Sequence, residues 1–359
     1  MMSRAAQVAA LTRAARFDLC VPESEEGKRA RRMPGLSIAS GRCRRMMKVL
    51  LHGRCAYDCA YCGVRTCRQD CSLSPAELAD IFLKMWREGR ADGLFLSSGI
   101  PRDVDEAMEG IVETGEILRR RGYDGYMHLK VLPGAARSDI TDLARVADRI
   151  SINIEAPSAS RLSELAGVKD YRQDIEKRQT WVADAMPGRH TTQLVVGAAG
   201  ESDAEVLTCI AGQYRRLAPA RIYYSGFSPL AGTPLASHDP TPLWRQNRLY
   251  QADALLRLYH FSMEEVAGVL DEEGFLRNAD PKRLLARERP RVDVNRAPLA
   301  DFLRVPGIGP KNARRVLAAR EKAPLRSERD LRACGVRGRG VGRYVAFGDG
   351  DVQSGIFDF

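Results

Sequence analysis

The chain reads as an α/β protein: a partial (βα)6 barrel followed by a small all-α domain. Three observations predict this. Strand-like and helix-like segments alternate between residues 46 and 237, as a parallel sheet with crossover helices requires. The alternation ends in a proline-rich stretch, 229–242, after which helical spacing takes over. The charge is also confined: residues 289–343 hold 15 Lys and Arg against 5 Asp and Glu, which is the whole net charge of +10. At 359 residues the chain has room for two domains, or for one barrel with an appendage.

Residues 1–45 are an arginine-rich extension expected to pack on the core. They lack the apolar run of a signal peptide, and Glu23, Glu25 and Glu26 argue against a transit peptide. No apolar run approaches the ~18 residues of a membrane span, so no membrane partner is expected. The barrel, 46–237, has strands predicted at 46–51, 93–97, 126–132, 149–154, 190–197 and 221–227. Ser74-Pro-Ala-Glu77 is a capping box opening a helix to about residue 88. Helices follow near 103–121 and 138–147, then helical sequence to about 183, and Ser202-Asp-Ala-Glu205 caps another. Residues 238–288 form a helical linker, in which Leu249, Ala252, Leu256 and Tyr259 recur at helical spacing. Tyr250, Tyr259 and Phe261 suit core packing better than base stacking. The basic domain spans 289–345, and 346–359 is a flexible tail.

Five of the nine cysteines crowd between Cys55 and Cys71. An odd count clustered in this way is metal or redox usage in a reducing compartment, so a cytoplasmic location is expected. In Cys55-Ala-Tyr-Asp-Cys59-Ala-Tyr-Cys62, three thiolates on one short loop can hold three corners of a [4Fe–4S] cluster. One iron then stays open, as in catalytic metal sites. A structural zinc site would bring a second Cys/His pair, and none follows downstream. Cys67 and Cys71 could ligate an auxiliary metal, act as redox partners, or be plain substitutions. Cys20 and Cys43 suit burial better than ligation.

The cysteine spacing resembles the radical S-adenosylmethionine (SAM) superfamily, whose open iron chelates the amino and carboxylate groups of SAM. The resemblance implies a [4Fe–4S] cluster and SAM as cofactors, a partial TIM-type barrel, and an aromatic residue at Tyr61 beside SAM. It also directs attention to the strand ends, where α/β folds bind ligands. Ser98 and Gly99 stand where the superfamily has a Gly-Gly-Glu stretch, but the acid is absent because residue 100 is isoleucine. Asn153 and Glu155 alternate to one face of strand four and suit the SAM ribose or carboxylate. Gly197 and Glu201, in Gly197-Ala-Ala-Gly200-Glu201, resemble the adenine-side motif. Ser228-Pro-Leu-Ala-Gly-Thr-Pro234 is similar to a Pro-x-x-Gly-Thr-Pro loop of many members.

In the basic domain Asn295 is expected to cap a short helix carrying Leu299, Phe302 and Leu303. Pro306-Gly307-Ile308-Gly309 makes a tight turn, and Pro310 opens a helix with Ala313, Val316 and Leu317 on its buried stripe. This resembles a helix-hairpin-helix motif, in which hairpin amides and a helix N-terminus grip phosphate. The expected nucleic-acid contacts are Gly307, Ile308, Gly309, Lys311, Asn312, Arg314 and Arg315. A degenerate second copy runs from Leu331 to Gly342. Protein packing is the alternative use of such a hairpin.

Taken together, these segments resemble a DNA modification/repair radical SAM family linked with uracil-DNA-glycosylase-type proteins. Matching stretches include Ala15-Arg-Phe-Asp18, Gly93-Leu-Phe-Leu-Ser-Ser-Gly99, Asp148-Arg-Ile-Ser-Ile-Asn-Ile-Glu155, Tyr223-Tyr-Ser225, Arg248-Leu-Tyr-Gln-Ala-Asp253 and Asp280-Pro-Lys282. The resemblance implies reductive SAM cleavage for DNA modification or repair, with a flavodoxin- or ferredoxin-type reductant and a glycosylase-type partner. An RNA (tRNA)-modifying enzyme and a non-catalytic Fe–S DNA-binding or sensor protein are the alternatives. Gln353-Ser-Gly-Ile-Phe-Asp-Phe359 resembles peptides that dock on sliding clamps.

Overall fold

A computed structural model describes residues 3–17, 38–41, 44–66, 71–338 and 340–348. Asp18, Cys20, Cys43, Cys67 and the clamp-like 353–359 segment lie outside the described residues. The chain divides into two compact units, Met1–Glu201 with Gly212–Pro242, and Ser202–Ala211 with Leu243–Phe359.

The first unit runs α1 (Arg4–Ala14), β1 (Ile38–Gly41), β2 (Arg44–Leu50), α2 (Pro75–Arg87), β3 (Gly93–Ser97) and α3 (Val104–Arg120). It continues with β4 (Tyr126–Lys130), α4 (Arg137–Val146), β5 (Arg149–Ser151), α5 (Ala159–Leu165), α6 (Lys177–Ala185), β6 (His190–Val196), α7 (Asp203–Leu217, the part up to Ala211 belonging to the second unit) and β7 (Arg221–Gly226). The sheet keeps sequence order from β1 to β7: β1 is antiparallel to β2, and the six strands from β2 to β7 are parallel neighbours. This is the curled half-barrel that six βα repeats predict.

Local chemistry explains the element boundaries. Ser74 and Glu77 exchange the two bonds of a capping box at the start of α2, and Asp103 accepts the Glu106 N–H at 2.8 Å to start α3. Every residue of β6 is buried, as expected for a strand covered on both faces. Tyr123 anchors the outer layer: its ring meets Phe82 and Trp86 edge-on, and its hydroxyl donates to the Asp92 and Tyr126 carbonyls.

Three expectations need correction. The N-terminal extension contributes β1 to the sheet, in addition to a helix. Strand four stops at Ser151 instead of running to residue 154. There the Ile154 and Glu155 N–H groups both donate to the Gln193 carbonyl, and Glu155 takes a left-handed φ of 63° that ends regular pairing. The helical sequence before residue 183 is broken into α5, a π-helical turn at Tyr171–Glu176 and α6, with Asp170 capping the turn.

The second unit adds α8 (Leu243–Tyr259), α9 (Met263–Ala267), α10 (Pro281–Leu285), β8 (Val292–Asp293), α11 (Leu299–Arg304), α12 (Pro310–Arg320), α13 (Glu328–Ala333) and β9 (Val345–Ala346). Its core gathers Phe302, Ile308, Val316, Leu331 and Val341. Asn295 does not cap α11, whose N-cap position is Pro298. Instead its amide side chain bonds both the N–H and the carbonyl of Leu325, at 2.8 and 2.9 Å, pinning a distant loop. No described helix is long and apolar enough to cross a membrane.

Candidate active site

The strand ends of the first unit open on a cavity of about 490 Å³. Cys55, Cys59 and Cys62 all line it. Backbone bonds tie their loop to its surroundings: Gly99 N–H to the His52 carbonyl at 2.8 Å, Ala56 N–H to Ile100 at 2.7 Å, and Gly53 N–H to Cys71 at 2.8 Å. A Cβ at Gly99 would strike the Arg54 carbonyl and lie 2.9 Å from that of His52, so only glycine lets β3 end this close to the cysteine loop.

Asn153 and Glu155 reach the same cavity from just beyond the end of β5. Glu155 accepts from Lys169 at 3.1 Å and from Asn153 at 3.4 Å, and burial, with the Glu155 carboxylate nearby, raises the Tyr61 phenol well above its usual range. Lys169 and Cys59 line the same cavity, and the lysine offsets part of the rise that burial gives the Cys59 thiol. Lys130, at the end of β4, donates to Asn153 Oδ1.

Residues 49–210 match the model of the radical SAM superfamily. Residues 49–210 are a radical SAM superfamily domain. No curated protein matches the chain. Solved structures similar to it include the FeFe-hydrogenase maturase HydG from Carboxydothermus hydrogenoformans, at 14% identity over 59% of this chain and 50% of that one, with a TM-score of 0.49. A radical SAM methyltransferase from Sphaerobacter thermophilus is 17% identical over 60% of this chain and 64% of that one, with a TM-score of 0.48. Methylornithine synthase (PylB) is 14% identical over 53% and 56%, with a TM-score of 0.46. The chain spans about half the length of HydG.

Radical SAM proteins use a [4Fe–4S] cluster and SAM, the cofactors expected from the cysteine loop. The donor set of this radical SAM domain fits them. Among the described residues no three His, Cys, Asp or Glu side chains converge tightly enough for a single metal ion. Cys55, Cys59 and Cys62 share one cavity, and a cubane offers each thiolate a separate iron. Burial raises the Cys59 thiol, and burial together with Cys59 pushes Cys62 up to about 12, so iron uptake releases protons there. Cys71 also lines the cavity.

The remaining expected SAM contacts of the radical SAM domain separate into two groups. Tyr61, Ser98, Gly99, Asn153 and Glu155 line the cavity. The Ser98 hydroxyl, however, is engaged by the His52 N–H and the Gly99 carbonyl. Gly197 and Glu201 lie outside the lining, with the Glu201 carboxylate turned onto the N–H groups of Gly197 and Ala199. Sequence reasoning missed Lys169, on the loop before the π-helical turn, and Lys130, although a strand-end position marks the latter. It also missed Arg13 and Arg16, which bring the N-terminal segment to the cavity rim.

In the second unit, α11 and α12 make one hairpin around Gly307, whose φ is 84°. A second turn follows α13 through Gly335 and Gly338. The Gly307 and Gly338 backbones touch: a Cβ at Gly338 would lie 2.8 Å from the Gly307 Cα. Lys311, Arg314 and Arg315 are exposed on α12. Gly309 provides no capping side chain, so the first-turn N–H groups of Lys311 and Asn312 have no acceptor within the helix. Two expected contacts are spent internally. Ile308 is core, its N–H bonded to the Val305 carbonyl, and the Asn312 amide holds the Gly335 carbonyl at 2.9 Å.

Lys282 supports this hairpin from below, donating to the Ile308 carbonyl at 2.7 Å and lying 4.1 Å from the Tyr259 ring centre. Burial lowers its amine from 10.5 to about 7, with Asp280 pulling the other way. Between those values the unfolded lysine binds a proton that the folded one lacks, so stability rises with pH from about 7 towards 10. Urea unfolding of the full chain at both ends of that window should show the rise, and Lys282→Met should flatten it. Equal slopes in the two proteins would refute the assignment.

Proposed function

We propose that the chain is an oxygen-sensitive radical SAM enzyme that modifies or repairs nucleic acid, with DNA as the substrate. The observation that carries this reading is that all three loop cysteines line the strand-end cavity of a chain whose whole net charge sits on its C-terminal hairpins. Cys55, Cys59 and Cys62 hold the cluster, while Tyr61, Asn153 and Glu155 face SAM. Bound there, cluster and SAM supply reductive cleavage to methionine and a 5′-deoxyadenosyl radical, with an electron from a flavodoxin- or ferredoxin-type donor. Val131, Leu132, Phe227 and Leu230 give the cavity apolar walls that exclude water. Arg13, Arg16 and Lys130 bring positive charge to its lining, which suits a nucleotide phosphate. A base inside a duplex must be extruded to enter such a cavity, so damaged or single-stranded sites are preferred.

The exposed cations of α12 support phosphate contacts made without regard to sequence. Anaerobic reconstitution with dithionite and SAM should yield 5′-deoxyadenosine, and single-stranded DNA should stimulate it. No 5′-deoxyadenosine under any condition would leave a non-catalytic Fe–S protein, and stimulation by RNA alone would reassign the substrate. The variant K311A/R314A/R315A should flatten the salt dependence of duplex DNA binding by about 0.9 in log–log slope for each phosphate it no longer neutralises. An unchanged slope would remove the hairpin from the interface.

A further inference from the structure

Side chains between a barrel strand and its covering helices are normally apolar. Thr192 on β6, Gln179 on α6 and Gln213 on α7 depart from this, all within the first unit and 3%, 3% and 4% exposed. Their polar groups form one chain. Gln213 Nε2 donates to Gln179 Oε1 at 3.0 Å, and Gln179 Nε2 donates to the Thr192 hydroxyl at 3.2 Å. That hydroxyl also accepts the Ile154 N–H at 3.0 Å and donates to the Ile152 carbonyl at 2.8 Å. A hydroxyl has one proton and two lone pairs, so its whole capacity is used. The two backbone groups it holds stand on either side of Asn153. Thr192 itself lies outside the lining of the cavity that Asn153 and Glu155 enter.

We propose that Thr192, backed by Gln179 and Gln213, is a positioning residue that holds the bend at 152–155 and so fixes where Asn153 and Glu155 enter the cavity. The inference rests on the reading that these two side chains face SAM. Regular strand ends at Ser151, and an unsupported segment beyond it would sample many directions. Here every turn of the backbone is held. The Ile154 N–H is shared between the Thr192 hydroxyl and the Gln193 carbonyl. Glu155, at φ 63°, gives its N–H to the Gln193 carbonyl and takes the Val195 N–H on its own carbonyl. An uncommon conformation of this kind persists where the surroundings over-determine it. Apolar side chains at 179 and 213 would cover the strand equally well but could not aim the Thr192 hydroxyl, so packing alone does not account for the chain. A fully satisfied buried polar network instead rigidifies what it touches.

The test combines two measurements on the full chain: SAM binding after anaerobic reconstitution, by calorimetry with iron content alongside, and hydrogen exchange of the cluster-free protein. Thr192→Val keeps the shape and removes the hydroxyl. It should bind the parent's iron but take up SAM about tenfold more weakly, the scale of one hydrogen bond. Exchange should quicken in a peptide spanning 151–157 while the rest of the sheet stays protected. Thr192→Ser keeps the hydroxyl and should bind SAM within about threefold of the parent. Parental SAM affinity in T192V overturns the proposal. Equal weakening in T192S overturns it too, as does loss of iron with faster exchange across the whole sheet, because the network is then ordinary packing. Asn153→Ala tests the reading beneath: if it binds SAM as tightly as the parent, Asn153 does not face SAM and that reading fails instead.

Discussion

Lys169→Met should destabilise the first unit by about 3–5 kcal/mol, the cost of removing one member of a buried ion pair. The substitution roughly preserves volume, so little of the loss comes from a cavity. It comes from Glu155, whose carboxylate is left without its cation in a site where its side chain is 8% exposed. Asn153 still donates to it, which places the effect nearer the lower end of the range. Urea unfolding of the cluster-free chain, followed anaerobically at neutral pH, would measure the loss at unchanged m-value. The double variant E155Q/K169Q should recover most of it, because two neutral amides can satisfy each other. A loss under about 1 kcal/mol for Lys169→Met would mean that water reaches the carboxylate.

Gly99→Ala should have the second large effect, and on the cluster more than on global stability. The added methyl meets the Arg54 and His52 carbonyls, which are backbone and cannot rotate away. Overpacking of this kind costs about 1–3 kcal/mol. The strain falls on residues 52–54, immediately before Cys55, so the first thiol should be displaced relative to the other two. Iron bound after reconstitution should fall well below that of the parent, with the far-UV spectrum unchanged. Retention of the full iron content would show that the loop can shift as a unit.

Much of the barrel was legible because its signals are local. Ser74-Pro-Ala-Glu77 announces a helix start, and Gly93–Ser97 is a short apolar run with the predicted limits. The cysteine loop was legible because three thiols at fixed spacing admit few uses. Where the sequence misled, a long-range contact overrode a local preference. Asn295 has the chemistry of a cap, but Leu325, thirty residues away, claims its side chain. Residues 152–155 alternate like a strand, but Gln193 captures two successive N–H groups and turns the chain. Lys169 carried no signal at all: a lysine in a loop is normally solvated, and only the fold brings Glu155 and Cys59 to it.

The backbone bonds around the cysteine loop also bear on how the metal centre is built. Gly53, Ala56 and Gly99 N–H groups are satisfied by protein carbonyls independently of any thiol–iron bond. These bonds would brace the loop while its thiols take up iron, a support that small metal-dependent domains lack. A scaffold protein handing over a ready-made cluster would meet thiols already facing one chamber, and the rate of transfer would follow the donor's release rather than the acceptor's ordering.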